Sequence, residues 1–142
     1  MKTSKEVLTS ILKTAQMGQI GIRSTLDTSM RPILRKALES QLKEYDRIES
    51  EAHSIAGQRG WELDDLDPAI RFMSNAMTRM KLSRGNTDSR IADMMIQGNT
   101  RGIIKGMKMI HQFPTGDDQI STLSQKLLDC ENANIRQMQQ FL

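Results

Sequence analysis

Residues 58–87, QRGWELDDLDPAIRFMSNAMTRMKLSRGNT, decide how the rest of the chain must be arranged. The stretch passes Gly60, turns acidic through Glu62, Asp64, Asp65 and Asp67, and breaks again from Ser83 to Asn86. Between those ends one short helix fits, over about residues 68–82. Asp67-Pro68 supplies a capping side chain and then a first-turn residue that needs no N–H partner, and Ile70, Met73, Met77 and Met80 follow at helical spacing. Thirty residues with a single short helix are too long for a tight turn. They suit a crossover running along a helical bundle.

Working outward from that crossover, both flanks read as pairs of long helices. On the N-terminal side, Thr3-Ser4-Lys5-Glu6 is a capping box, and Leu8, Ile11, Leu12, Ala15, Ile22 and Leu26 recur three or four apart, which predicts a helix over 4–26. Thr28 or Ser29 is the expected cap of a second helix, with Pro32 in its first turn; Leu34, Leu38, Tyr45, Ile48, Ala52 and Ile55 form its stripe, and Gly57 and Gly60 end it. On the C-terminal side, a helix is expected from Thr87 or Asp88 to just before Pro114. The last begins at Thr115-Gly116-Asp117-Asp118, a Thr-x-x-Asp variant of the capping box, and buries Ile120, Leu123, Leu127, Ile135, Met138 and Leu142. Short links make each pair antiparallel, and strand signals are missing. The expectation is an all-α fold: a four-helix bundle of two antiparallel helical hairpins joined by a long crossover containing a short helix, with residues 1–142 as a single domain.

Composition narrows the classes of function. A core built from 37% hydrophobic but only 4% aromatic residues must be aliphatic and rich in Met. Cys130 is the only cysteine, so no internal disulfide can form and a reducing compartment is expected. Met1 to Leu12 is amphipathic and lacks the apolar stretch and cleavage site of a signal peptide, and no apolar run approaches the ~18 residues of a membrane span. Cytoplasmic location follows as the expectation. The net charge of +3 is weak, but residues 71–108 hold eight Lys or Arg against two Asp. Stacking aromatics are scarce there and no nucleic-acid module fits, so a solvated face is expected and neither a nucleic acid nor a membrane is an expected partner.

The informative positions are the polar residues inside the apolar stripes. Gln19 interrupts the first helix; Gln41 sits mid-stripe on the second, with Tyr45 beside it and Glu44 near the edge; Asn99 lies within Ala92, Met95, Ile96 and Ile103; Glu131 and Asn134 lie within Leu127, Ile135 and Met138. Every long helix therefore points a polar group inward. Asn99 and Glu131 lie about equally far from the turn near Thr115, so a rise of about 1.5 Å per residue puts them at one height.

In helix order, crossover and inward polar positions the chain resembles the ferritin-like superfamily, in particular small bacterial proteins of the rubrerythrin and spore-coat kind. The resemblance implies a Glu on the first and third core helices and Glu-x-x-His on the second and fourth, holding two metals. At the corresponding places stand Gln19, Gln41-Leu42-Lys43-Glu44, Asn99 and Glu131-Asn132-Ala133-Asn134. One Glu matches, amides replace three carboxylates, and no His matches. Hard divalent iron or manganese needs anionic oxygens and usually imidazole. No metal and no cofactor is therefore expected, and His53 and His111 read as surface residues. The layer can be a buried amide network fixing helix register, a polar lining for a small ligand in the bundle core, or a divergent di-metal (iron or manganese) site. The expected function is a non-catalytic interaction or small-ligand-binding module, with Gln19, Gln41, Glu44, Tyr45, Asn99, Glu131 and Asn134 as ligand-facing residues and no catalytic residue.

Two further features bear on packing. Gly98, Gly102 and Gly106 fall at i, i+4 and i+8 of one helix, where each costs about 1 kcal/mol relative to Ala. Close packing against another backbone, such as Gly18 or Gly21 or a second subunit, is the expected reason; a ligand groove is the other. Seven of the 11 Met residues lie between Met73 and Met109, and Met94 and Ile104 sit off the stripe. Apolar residues there suit a homodimer contact or an unidentified protein partner.

Overall fold

The structure, a computed structural model, describes residues 1–83, 87–113 and 116–142, and the side chains of these except at 79–83. It is all-helical: α1 Ser4–Leu26, α2 Pro32–Gln58, α3 Pro68–Ser83, α4 Asp88–His111 and α5 Asp118–Gln139. The break expected at Ser83–Asn86, the Pro114-Thr115 punctuation, and the side chains of Arg79, Met80, Lys81 and Arg84 fall wholly or partly outside the described residues.

Local chemistry explains most helix ends. Thr3 Oγ1 accepts the Glu6 N–H at 3.1 Å and Thr87 Oγ1 accepts that of Arg90 at 3.3 Å. Asp67 Oδ1 takes the Ala69 N–H at 2.8 Å at the head of α3. The start of α2 differs from expectation. Its cap is Arg31, which makes no side-chain cap bond, because Pro32 crowds the preceding residue into extended geometry. Thr28 closes the end of α1 instead, its hydroxyl donating to the Thr25 carbonyl at 2.6 Å. The start of α5 also shifts. Its cap is Asp117 rather than Thr115, and the Asp117 carboxylate is held by Arg59 at 2.6 and 2.9 Å.

At the end of α2, the Trp61 N–H reaches back to the Ala56 carbonyl at 2.9 Å and that of Gly60 to Gly57 at 3.4 Å. This double closure needs a left-handed residue, and Gly60 supplies it at φ 67. Gly60→Ala should cost about 1 kcal/mol, read as a lower urea midpoint with unchanged slope.

Pairs of contacts fix the helix directions. Gln16 meets Glu49 and Gln19 meets Asp46, so α1 and α2 run opposite ways. Gly102 lies over Glu131 and Gly106 over Leu128, which makes α4 and α5 antiparallel too. The Lys2 N–H donates to Gln112 at 2.8 Å, setting the start of α1 beside the end of α4. Arg31 pairs with Asp88, so α2 and α4 start at the same end. The chain must therefore travel the length of the molecule between them, and α3 lies on that crossover.

The first helix packs against all four others. Leu8, Leu12, Ile22, Leu34, Leu38, Ile91, Ile120, Leu123 and Met138 form the fully buried centre. By contrast, none of the described side chains of α3 is buried. The crossover is tied down by Gln16, which accepts the Leu66 N–H at 2.8 Å and donates to Asp65 at 2.9 Å and Glu49 at 3.2 Å. Among the described residues no helix is long and apolar enough to cross a membrane.

Candidate functional site

The site is organised by the chain's one tyrosine. Tyr45 projects from α2 into the middle of the molecule, and α1 lets it pass only because residue 18 is glycine. A Cβ there would stand 2.5–2.8 Å from three atoms of the ring. The Tyr45 hydroxyl lies 2.9 Å from Glu131 Oε2 and 3.0 Å from Asn99 Oδ1, and accepts from Asn134 Nδ2 at 3.3 Å. It has one proton for two acceptors, so the carboxylate and the amide compete for it.

Burial sets the electrostatics. Glu131 is 3% exposed, and loss of water raises its carboxyl to about 7, opposed in part by the Tyr45 hydrogen bond. Burial, then the Glu131 charge, raises the Tyr45 phenol well above its ordinary value. Cys130 is half-buried and its thiol is pushed up to about 12, by burial first and then by Glu131 and Glu44. That removes thiolate nucleophile chemistry at neutral pH.

This cluster forms the floor of a cavity of about 370 Å³ between α1, α3 and α4. Gln41, Tyr45, Asn99 and Glu131 line its base; Met17, Ile22, Met77, Met94 and Met95 its walls; Arg101 and Lys105 also line it and are exposed. Gly21, Gly98 and Gly102 line it as well.

The candidate residues thus divide. Tyr45, Asn99, Glu131 and Asn134 come together, and Gln41 joins them at the cavity while donating to Gln137 at 2.8 Å. Gln19 is buried but turns the other way, donating to Asp46 at 2.9 Å and Glu49 at 3.2 Å. Glu44 is exposed and pairs with Arg47, since one residue before Tyr45 is about 100° off the buried face. The glycines divide as well. A Cβ at Gly102 would meet Glu131 Oε1 at 2.8 Å and one at Gly106 would meet Leu128 at 3.0 Å, which is close packing. Gly98 departs from that expectation, because nothing lies within 4 Å of its Cβ position. It opens onto the cavity. Gln16 was not among the sequence candidates. Its signal is weak: a Gln beside Ala15, at the border of the stripe.

His53 and His111 are both exposed. Among the described residues, no group of three or more His, Cys, Asp or Glu is placed to hold a metal ion. No family model, curated protein or solved structure matches the chain.

Proposed function

We propose that this chain is a ferritin-like four-helix bundle that acts as a non-catalytic small-ligand-binding module, with the ligand seated in the cavity above Tyr45, Asn99 and Glu131. The two antiparallel pairs and the long crossover support the fold assignment. One observation carries the binding reading: a cavity of about 370 Å³ ends on a buried polar floor and is kept open where Gly21 and Gly98 have no neighbour within 4 Å. A register-fixing network alone would need no such space, and pockets of this size and mixed lining suit small molecules.

Filling the cavity tests it. Gly98→Leu meets no obstacle at its Cβ and should stabilise α4 by about 0.5–1 kcal/mol through helix propensity, while its side chain occupies the cavity. Native mass spectrometry of the full chain, and NMR titration with 1-hexanol, should show uptake by the wild type and its loss in the variant. Equal uptake by both would place binding elsewhere.

A homodimer is the accompanying proposal, supported by Ile70, Phe72 and Met73 on α3 and Ile104 and Met107 on α4, all exposed. Light scattering after gel filtration, with Phe72→Asp as the disrupting variant, decides it.

A further inference from the structure

The two ends of the cavity carry opposite unpaired charge. At the floor, Glu131 Oε2 is engaged by Tyr45, but Oε1 has no hydrogen-bond partner among the described residues. No fully enclosed side-chain oxygen or nitrogen among them lacks a partner, so Oε1 opens to the cavity that its residue lines. At the rim, Arg101 and Lys105 sit one turn apart on α4, and among the described residues no carboxylate lies within ion-pair distance of either. Loss of part of its water, and then the charge of Lys13 on α1, holds the Lys105 ammonium below its ordinary range. Two cations without an ion-pair partner at the rim, with a third acting on one of them, favour an anion, and a buried carboxylate oxygen open to a cavity favours a cation.

We infer that the ligand is a small zwitterion, placing an ammonium group on Glu131 and an anionic group between Arg101 and Lys105, with a short apolar stem against Met17, Met94 and Met95. This inference rests on the cavity reading above and assigns its ligand class. Arg101 and Lys105 flank Gly102, whose Cβ position is 2.8 Å from Glu131 Oε1, so floor and rim lie at one level of α4 and differ in depth. A chain of five methylenes between an ammonium and a carboxylate is the stem length put to the test below.

Calorimetric titration of the full chain with four probes tests this: 6-aminohexanoate, hexanoate, hexylamine and 1-hexanol. At pH 8, 6-aminohexanoate should bind about tenfold or more tighter than hexanoate or hexylamine, the worth of one charge-assisted contact at each end. Glu131→Gln should remove its advantage over hexanoate, and Lys105→Met should reduce its advantage over hexylamine. Lowering the pH of the wild type to 6 should weaken 6-aminohexanoate as Glu131 takes up a proton. The titratable or charged groups that act on Glu131 or share its cavity are Tyr45 on α2, Cys130 on α5 and Arg101 and Lys105 on α4, with Glu44 on α2 acting on Cys130 and Lys13 on α1 acting on Lys105, and hexanoate, which meets the rim without needing Glu131, controls for the lysines. Equal affinity for hexanoate and 6-aminohexanoate, or an advantage that survives Glu131→Gln, overturns the inference. If 1-hexanol binds as well as the charged probes, the charge assignment falls and the cavity reading stands. If none of the four binds, both fall.

Discussion

Glu131→Gln is expected to stabilise the protein by about 3 kcal/mol at pH 8 and to change it little near pH 4.5. The carboxyl titrates at about 7 in the folded chain because it is cut off from water, whereas its ordinary value, taken for the unfolded chain, is 4.5. Between those values the folded state binds the extra proton, so raising the pH favours unfolding. The favourable contribution is complete below the unfolded value and is lost as pH rises through the folded one. A shift of this size corresponds to about 3 kcal/mol. Gln keeps an acceptor for Tyr45 and carries no charge to desolvate. Asp117, whose carboxyl Arg59 holds well below the usual range, acts only in more acid solution and equally in both proteins. Urea melts of wild type and variant across this range should therefore diverge as pH rises. Parallel curves would mean that Glu131 is solvated.

Gly18→Ala should destabilise by about 3 kcal/mol, although Ala is the better helix former. Its methyl would stand 2.5 Å from the Tyr45 ring, and the contacts at the far end of the ring resist its displacement. Tyr45 is 2% exposed and its hydroxyl is engaged by Asn99, Glu131 and Asn134. Moving it strands buried polar groups, which adds to the overpacking cost. Gly98→Ala, on the same helical face of a neighbouring element but with open space at its Cβ, should instead gain stability. Thermal melts of the two variants should move in opposite directions, and equal shifts would remove Gly18 from its role in seating Tyr45.

The helices themselves were legible because apolar spacing and caps agreed. Thr3, Asp67, Thr87 and Gly60 each act through the backbone bond that their residue type favours. Where a proline or a distant partner competes, local reading falters: Pro32 moves the cap of α2 to Arg31, and Arg59 engages the Asp117 side chain from 58 residues away. The same division runs through the site. Asn99, Glu131 and Asn134 are mid-stripe and buried, so periodicity alone brings them inward. Gln19 is mid-stripe too, yet it turns to Asp46 and Glu49, because acceptors on a neighbouring helix set the direction of a long side chain and the sequence does not display them. The sequence left the cavity as one reading among several for a related reason. Empty space is a property of how α1, α3 and α4 stand apart, and glycine spacing marks close approach at Gly102 and an opening at Gly98 with one and the same pattern.

The thinness of α3 has a kinetic consequence. It contributes Ser74, Met77 and Thr78 to the cavity wall, yet it buries none of its described side chains. Segments with so little buried surface detach at a small fraction of the free energy of global unfolding. Exchange of a bound molecule can then proceed by the wall swinging out while the four long helices stay packed. For the ligand proposed above, affinity would be set by the floor at Glu131 and the rim at Arg101 and Lys105, but residence time by the contacts of α3 with α1, such as the Asn75–Ser24 hydrogen bond. Substitutions in α3 that leave Ser74, Met77 and Thr78 in place would thus alter the rates of arrival and departure together and leave their ratio almost untouched.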